Sequence, residues 1–70
     1  MSPGLIVTTS RKASPEREAE AERWAEQLGA PLWPREDRSL AELTREAGVA
    51  GALVVGGDRV TYYEPERDLA

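Results

Sequence analysis

The sequence predicts a small α/β domain: a four-stranded mixed sheet in the order 2-1-3-4, with one helix on each face. Three observations lead to this prediction: two short apolar runs, two capped amphipathic helices that alternate with strands, and a glycine-rich turn late in the chain. Seventy residues are enough for one domain with a thin core. We therefore expect residues 1–70 to form a single α/β domain with the element order β-α-β-α-β-β.

The first strand and the first helix have clear signals. Residues 5–9 are an apolar, β-branched run between Pro3-Gly4 and a polar segment, which is typical of a buried strand. Ser14-Pro15-Glu16 then supplies an N-cap serine, a proline in the first turn and an acidic residue near the helix dipole. The helix is predicted over residues 15–28, ends at Gly29, and has an apolar stripe of Ala21, Trp24, Ala25 and Leu28.

The second strand is predicted to be short and the second helix to be well capped. Residues 31–34 read Pro-Leu-Trp-Pro, and this proline-flanked segment favours a short edge strand. Residues 39–42 read Ser-Leu-Ala-Glu, the pattern of a capping box, so a helix begins there. Its buried stripe is Leu40, Leu43 and Ala47, and Gly48 ends it.

The last two strands are predicted to form a hairpin. The apolar run at residues 52–55 is followed by Gly56-Gly57-Asp58 and the β-rich segment 59–63. Both long apolar runs are hydrophobic at successive positions, so their strands need cover on both faces and belong in the middle of the sheet. Right-handed crossovers then place the two helices on opposite faces. The charged segment 64–70 is expected to be a frayed tail.

Composition excludes several kinds of chemistry. The chain has no cysteine and no histidine, which removes disulfides, thiolate nucleophiles, imidazole bases and nearly all zinc or haem sites. We expect a protein that is not an enzyme and has no cofactor. The N-terminal apolar run is too short for a signal peptide or a membrane span, which predicts a cytoplasmic protein without a membrane partner.

The charge balance narrows the classes of partner. A net charge of -4 disfavours strong, indiscriminate binding to nucleic acid. Lys12 is the only lysine beside many arginines, a bias that is typical both of a GC-rich genome and of heat adaptation in a thermophile.

The loop after the first strand is the candidate binding segment. It joins the carboxyl end of a central strand to a helix N-terminus, where open α/β sheets bind ligands. Its cations are expected to bind phosphate and its hydroxyls to donate hydrogen bonds to RNA. The candidate binding residues are Thr8, Thr9, Ser10, Arg11, Lys12, Ser14, Arg35 and Arg38. An ordinary capped loop and a solvated mixed-charge loop would explain the same residue types without a ligand.

An alternative interaction surface is the predicted edge strand at residues 59–63. An edge strand has one row of unpaired backbone groups, so it suits a protein partner or a homodimer. Tyr62 and Tyr63 on this strand could stack on bases, although a strand needs such residues simply to pack.

Two family resemblances add to this interpretation. Residues 5–14 (LIVTTSRKAS), with Arg35 and SLAEL at 39–43, resemble the first half of the Brix-domain family, RNA-binding ribosome-biogenesis factors of archaea and eukaryotes. The same opening, with APLWPR at 30–35, SLAEL, and LVVGGDRVTYY at 53–63, is similar to the small N-terminal domain of a group of bacterial class I SAM-dependent methyltransferases.

The two resemblances imply the same kind of role. The glycine-rich SAM-binding turn of the methyltransferases is not among the 70 residues, so we expect no methyl transfer. What the resemblances imply is a non-catalytic accessory module that contacts RNA or a ribonucleoprotein partner through the loop after the first strand.

Overall fold

The chain forms a three-stranded mixed sheet with two helices, in a computed structural model that describes residues 4–64. The elements are β1 (Leu5–Thr9), α1 (Pro15–Leu28), α2 (Leu40–Ala47), β2 (Gly51–Val55) and β3 (Val60–Tyr63). β1 pairs with β2 in parallel, and β2 pairs with β3 antiparallel. The predicted frayed tail lies outside the described residues, except for Glu64.

The predicted second strand, at residues 31–34, is wrong, and the sheet has three strands where four were predicted. This segment makes one isolated parallel bridge, between Val7 and Leu32. The N–H of Val7 donates to the carbonyl of Pro31 at 3.0 Å, and the N–H of Trp33 donates to the carbonyl of Val7 at 2.9 Å. Pro31 has no N–H to extend the ladder toward the start of β1. At the other end, the carbonyl of Thr9 accepts a hydrogen bond from the side chain of Arg35. The bridge still lies beside β1, on the side opposite β2.

The two helices cover opposite faces of the sheet, as predicted. Successive residues of a strand point to opposite faces, and the neighbours Ile6 and Val7 belong to different core clusters. The cluster on the α1 side contains Val7, Ala21, Ala25, Ala30 and Val55. The cluster on the α2 side contains Ile6, Leu43 and Ala52.

The apolar stripe of α1 is narrower than the sequence predicts. Ala21 and Ala25 are buried, but Trp24 is only half-buried and Leu28 is 45% exposed. Gly29 has a left-handed backbone with φ 67°, which ends the helix and turns the chain. Ala30 then enters the core cluster, so the last turn of α1 does not need Leu28 to fill that space.

Both helix N-termini lie at the same edge of the sheet. Ser14 caps α1 by accepting from the N–H of Arg17 at 3.3 Å. In α2, Ser39 Oγ accepts from the N–H of Glu42, and the Glu42 carboxylate accepts from the N–H of Ser39, both at 3.1 Å. Because α1 follows β1 and α2 precedes the parallel strand β2, both helices begin at the carboxyl ends of β1 and β2.

Candidate anion-binding site

Two polar loops, at residues 10–14 and at residues 33–39, lie at the carboxyl ends of β1 and β2. We call the region between them the edge crevice. The chain leaves β1 toward Leu32 on one side and returns through β2 on the other side. Open α/β sheets bind ligands at this kind of switch in strand order. The topology therefore brings two helix N-termini and two polar loops to one place.

Arg35 joins the two loops of the edge crevice. Its Nη1 donates to the carbonyl of Thr9 at 3.1 Å, and its Nε donates to the carbonyl of Arg38 at 2.7 Å. Burial of the guanidinium lowers the pKa of Arg35, and the positive charge of Arg11 lowers it further. The guanidinium nevertheless keeps its charge at neutral pH. Arg11 and Arg35 thus hold two positive charges close together.

Arg11 and Lys12 are both exposed at the outer end of this loop. Lys12 has a left-handed backbone with φ 61°, which is uncommon outside glycine and makes the turn sharp. Arg11 also lies close enough to Glu42 to lower its pKa, after the larger effects of the hydrogen bonds from the Ser39 backbone and side chain. Arg11 therefore lies near the N-terminus of α2 as well as near Arg35.

The hydroxyl groups of the candidate set differ in how far a ligand can reach them. Thr8 is fully buried and Thr9 is 8% exposed, so both lie beneath the crevice surface. Ser10 is half-buried, and its N–H donates to the carbonyl of Val55 at 3.1 Å. Ser14 is exposed while its oxygen caps α1, so its own O–H is free to donate.

Arg38, the last candidate residue, is bound within the chain. Its Nη1 lies 2.8 Å from Glu46, and its Nη2 lies 3.6 Å from Glu36 and donates to the carbonyl of Pro34 at 2.7 Å. The guanidinium also lies over the ring of Trp33, 5.9 Å from the ring centre. These contacts hold the loop 33–39 against α2, so Arg38 positions Arg35 by fixing the loop that carries it.

Sequence reasoning missed two parts of this site. The capping box at Ser39 and Glu42 was found as a helix signal, but its closeness to Arg11 was not predicted. The turn between β2 and β3, with the exposed Arg59, also lies at the carboxyl end of β2. The direction of α2, which runs from the edge crevice to the start of β2, could have predicted the first placement. The parallel pairing of β1 and β2 could have predicted the second.

The rest of the described chain adds three observations. The predicted edge strand is present as β3, which lies at the end of the sheet with Tyr62 51% exposed. Within residues 4–64, no three acidic, histidine or cysteine side chains come together as a metal site. The helices of this part of the chain are too short or too polar to cross a membrane.

These features define an open α/β domain whose polar loops meet at the carboxyl edge of its sheet. Among solved structures, the structure of this chain is similar to the crystal structure of Mil, an archaeal Imp4-like protein, with a TM-score of 0.75 and 24% sequence identity. The match covers 87% of this chain and 44% of Mil, so the chain spans less than half the length of that protein. No family model and no curated protein matches the sequence.

This similarity concerns the fold. At 24% identity the match shows that the chain has the fold of an Imp4-like protein, and membership of the Brix-domain family stays a prediction. The resemblance to methyltransferase N-terminal domains stays a prediction, as do the cytoplasmic location and the bacterial or thermophilic source.

Proposed function

We propose that this domain is a non-catalytic accessory module that binds the phosphate backbone of RNA, alone or within a ribonucleoprotein, through the edge crevice. The observation that supports this best is the position of Arg11 and Arg35 at the carboxyl edge of the sheet, where Arg35 is held by its hydrogen bond to the carbonyl of Thr9 and the charge of Arg11 lowers its pKa. Neither residue forms a salt bridge with a carboxylate among residues 4–64. Two like charges held together are unfavourable by themselves, and an anion between them would relieve the repulsion. The fold shared with an Imp4-like protein is in keeping with such a role.

The cations of the crevice have different tasks in this proposal. Arg11 and Lys12 are exposed and bind phosphate oxygens directly. Arg35 is held in place by the carbonyls of Thr9 and Arg38, so little side-chain entropy is lost when it binds an anion. Ser10 and Ser14 donate hydrogen bonds from the loop between β1 and α1. Thr8, Thr9 and Arg38 shape the site from beneath and behind.

The test is binding of a fluorescently labelled RNA hairpin, followed by anisotropy over a range of salt concentrations. Three phosphate contacts predict weak binding with a log-log salt slope between about -2 and -3. The double change Arg11→Ala and Lys12→Ala should abolish binding and leave the melting temperature almost unchanged, because exposed charges contribute only about 0 to 1 kcal/mol each to stability.

A matched control separates the crevice from general electrostatics. The single variants Arg11→Ala and Arg23→Ala each remove one positive charge. Arg23 is an exposed arginine on α1 that lies outside the edge crevice. Only the first change should weaken binding. Equal losses from both would contradict the proposed site, and no retention of RNA at low salt would contradict RNA binding altogether.

The alternative function, self-association through the segment 59–63, has its own signature in the same experiments. Sedimentation would then show a dimer that forms with rising concentration. Tyr62 lies opposite Leu53, whose backbone groups face β1, so the backbone groups of Tyr62 face away from β2. Replacing Tyr62 with proline removes an outward-facing donor of β3 and should abolish that dimer. This result together with a lack of RNA binding would favour the alternative.

A further inference from the structure

A second surface lies on the other side of residues 32–34, where an open groove of about 240 Å³ separates them from α1. We call it the α1 groove. Its walls combine an apolar side, formed by Leu32, Trp33 and Pro34, with two carboxylates on the helix, Glu18 and Glu22. Thr9, at the end of β1, completes the lining. Arg11, Lys12 and Arg35 do not line it. The α1 groove is therefore acidic where the edge crevice is basic.

The backbone beside the α1 groove has room for one more strand. The N–H of Val7 donates to the carbonyl of Pro31, and its carbonyl accepts from the N–H of Trp33. Because both neighbours of Leu32 bond to β1, the N–H and the carbonyl of Leu32 itself face away from β1. Neither group of Leu32 bonds to the backbone of residues 4–64. The Leu32 side chain is 40% exposed. An unpaired donor and acceptor beside an exposed apolar side chain form a template for an added strand.

The charge of the α1 groove selects the occupant. Glu18 and Glu22 are one helical turn apart and both exposed, and neither forms a salt bridge within the described chain. Like charges at this spacing destabilise a helix slightly. A cationic side chain from a partner would neutralise both, whereas the phosphates of RNA would be repelled.

We propose that the α1 groove binds an extended segment of a partner protein that carries a lysine or arginine beside an apolar residue. The segment pairs with the N–H and carbonyl of Leu32 as an additional strand. Its cationic side chain packs its methylene stem against Leu32 and places its charge between Glu18 and Glu22. This binding does not depend on the RNA-binding proposal, because the cations of the edge crevice do not line the α1 groove and the charge there has the opposite sign.

The test uses the whole chain, labelled with nitrogen-15, and a short acetylated and amidated peptide of alternating valine and lysine. Saturable shifts of the backbone amide signals of Leu32 and Trp33 are expected as the peptide is added. A peptide with glutamate in place of lysine should not bind. The double change Glu18→Gln and Glu22→Gln should weaken the lysine peptide about five- to tenfold, as expected for losing two exposed ion pairs.

Two controls keep the test decisive. Glu16→Gln with Glu26→Gln removes the same charge from exposed sites on α1 outside the groove and should leave the affinity unchanged. Methylation of the peptide's central amide removes its donor without altering the protein, and it should weaken binding about fivefold.

Several outcomes would overturn the proposal. Shifts centred on Thr61 and Tyr62 would mean that the peptide adds to β3 instead. If the glutamate peptide bound as tightly as the lysine peptide, Glu18 and Glu22 would have no part in recognition. Shifts of Leu32 that appear on concentrating the protein alone would identify a second copy of the chain as the occupant.

Discussion

At the scale of single residues, Thr8 has a hydroxyl in an unfavourable place. The residue is fully buried, and its Oγ1 has no hydrogen-bond partner among residues 4–64. Thr8 alternates with Val7, so it points to the α2 side of the sheet, near the floor of the edge crevice. A buried hydroxyl without a partner costs about 1 to 3 kcal/mol. Unsatisfied polar groups of this kind call for an explanation and often accompany functional sites.

Replacing Thr8 with valine should therefore stabilise the domain. Valine has nearly the same shape and strong strand propensity, so we expect the free energy of unfolding to rise by about 1 kcal/mol. Urea unfolding followed by circular dichroism measures the change.

The matched control is Thr44→Val. Thr44 is also buried, but its hydroxyl donates to the carbonyls of Leu40 at 3.0 Å and Ala41 at 3.1 Å. This change should lower stability by up to about 1 kcal/mol, because it removes hydrogen bonds that are made. Loss of stability in both variants would mean that the Thr8 hydroxyl is also bonded in solution.

Burial and long-range contacts of single residues were the hardest features to predict. Arg35 and Thr9 are 26 residues apart, and no local pattern indicates their hydrogen bond. The sequence correctly predicts Thr8 and Thr9 as the end of the first strand, but it also makes them candidate binding residues. Only the packing of α2 and residues 31–34 shows that their hydroxyls lie beneath the surface.

At the scale of elements, local signals predicted the helices well. Ser14, Gly29, Ser39 and Gly48 occupy the caps that the sequence indicates, because capping depends on residues three or four positions apart. The length of a strand depends instead on a partner far away in sequence. This is why the prediction of a short strand at residues 31–34 was wrong, while the strands predicted from the two apolar runs are present as β1 and β2.

The capping box of α2 should make stability depend on pH. Hydrogen bonds from Ser39 lower the pKa of Glu42 in the folded state. The ionised form of Glu42 is therefore favoured by folding, and its stabilising effect is present above the ordinary glutamate pKa of about 4.3. This effect disappears as the pH falls through the folded-state pKa. Ser39→Ala removes the hydrogen bond from the side chain and leaves the larger effect of the backbone N–H. It should therefore raise the Glu42 pKa part of the way toward its ordinary value, measured by nuclear magnetic resonance titration of the carboxyl group.

Ser14→Ala is the control for this prediction. Ser14 caps α1 with Arg17 at the third helical position, so no glutamate returns the hydrogen bond. Both serine changes should cost about 1 kcal/mol of stability, but only the change at Ser39 should move the Glu42 titration. An unchanged Glu42 pKa in Ser39→Ala would show that the Ser39 hydroxyl does not donate to the Glu42 carboxylate in solution.

At the scale of the whole molecule, two thin core clusters hold the domain together, one on each face of the sheet. Leu43 is the large side chain of α2 that is fully buried, and it packs with Ile6 and Ala52. The other face relies on α1 and three buried alanines. A domain of 70 residues has a total stability of only about 4 to 10 kcal/mol, so neither cluster can lose much.

The choice of which leucine supports the fold gives the last prediction. Leu43→Ala should lower the free energy of unfolding by about 2 to 5 kcal/mol, because it leaves a cavity between α2 and the sheet. Leu28→Ala removes the same atoms from a side chain that is 45% exposed, and it should cost less than about 1 kcal/mol. Because α2 carries Ser39 and Glu42 to the edge crevice, Leu43→Ala should also weaken any anion binding there, whereas Leu28→Ala should not. Urea unfolding of both variants, with unchanged slopes, measures the difference in stability. Equal midpoints would contradict the assignment of Leu43 to the core and restore the wider α1 stripe that the sequence predicts.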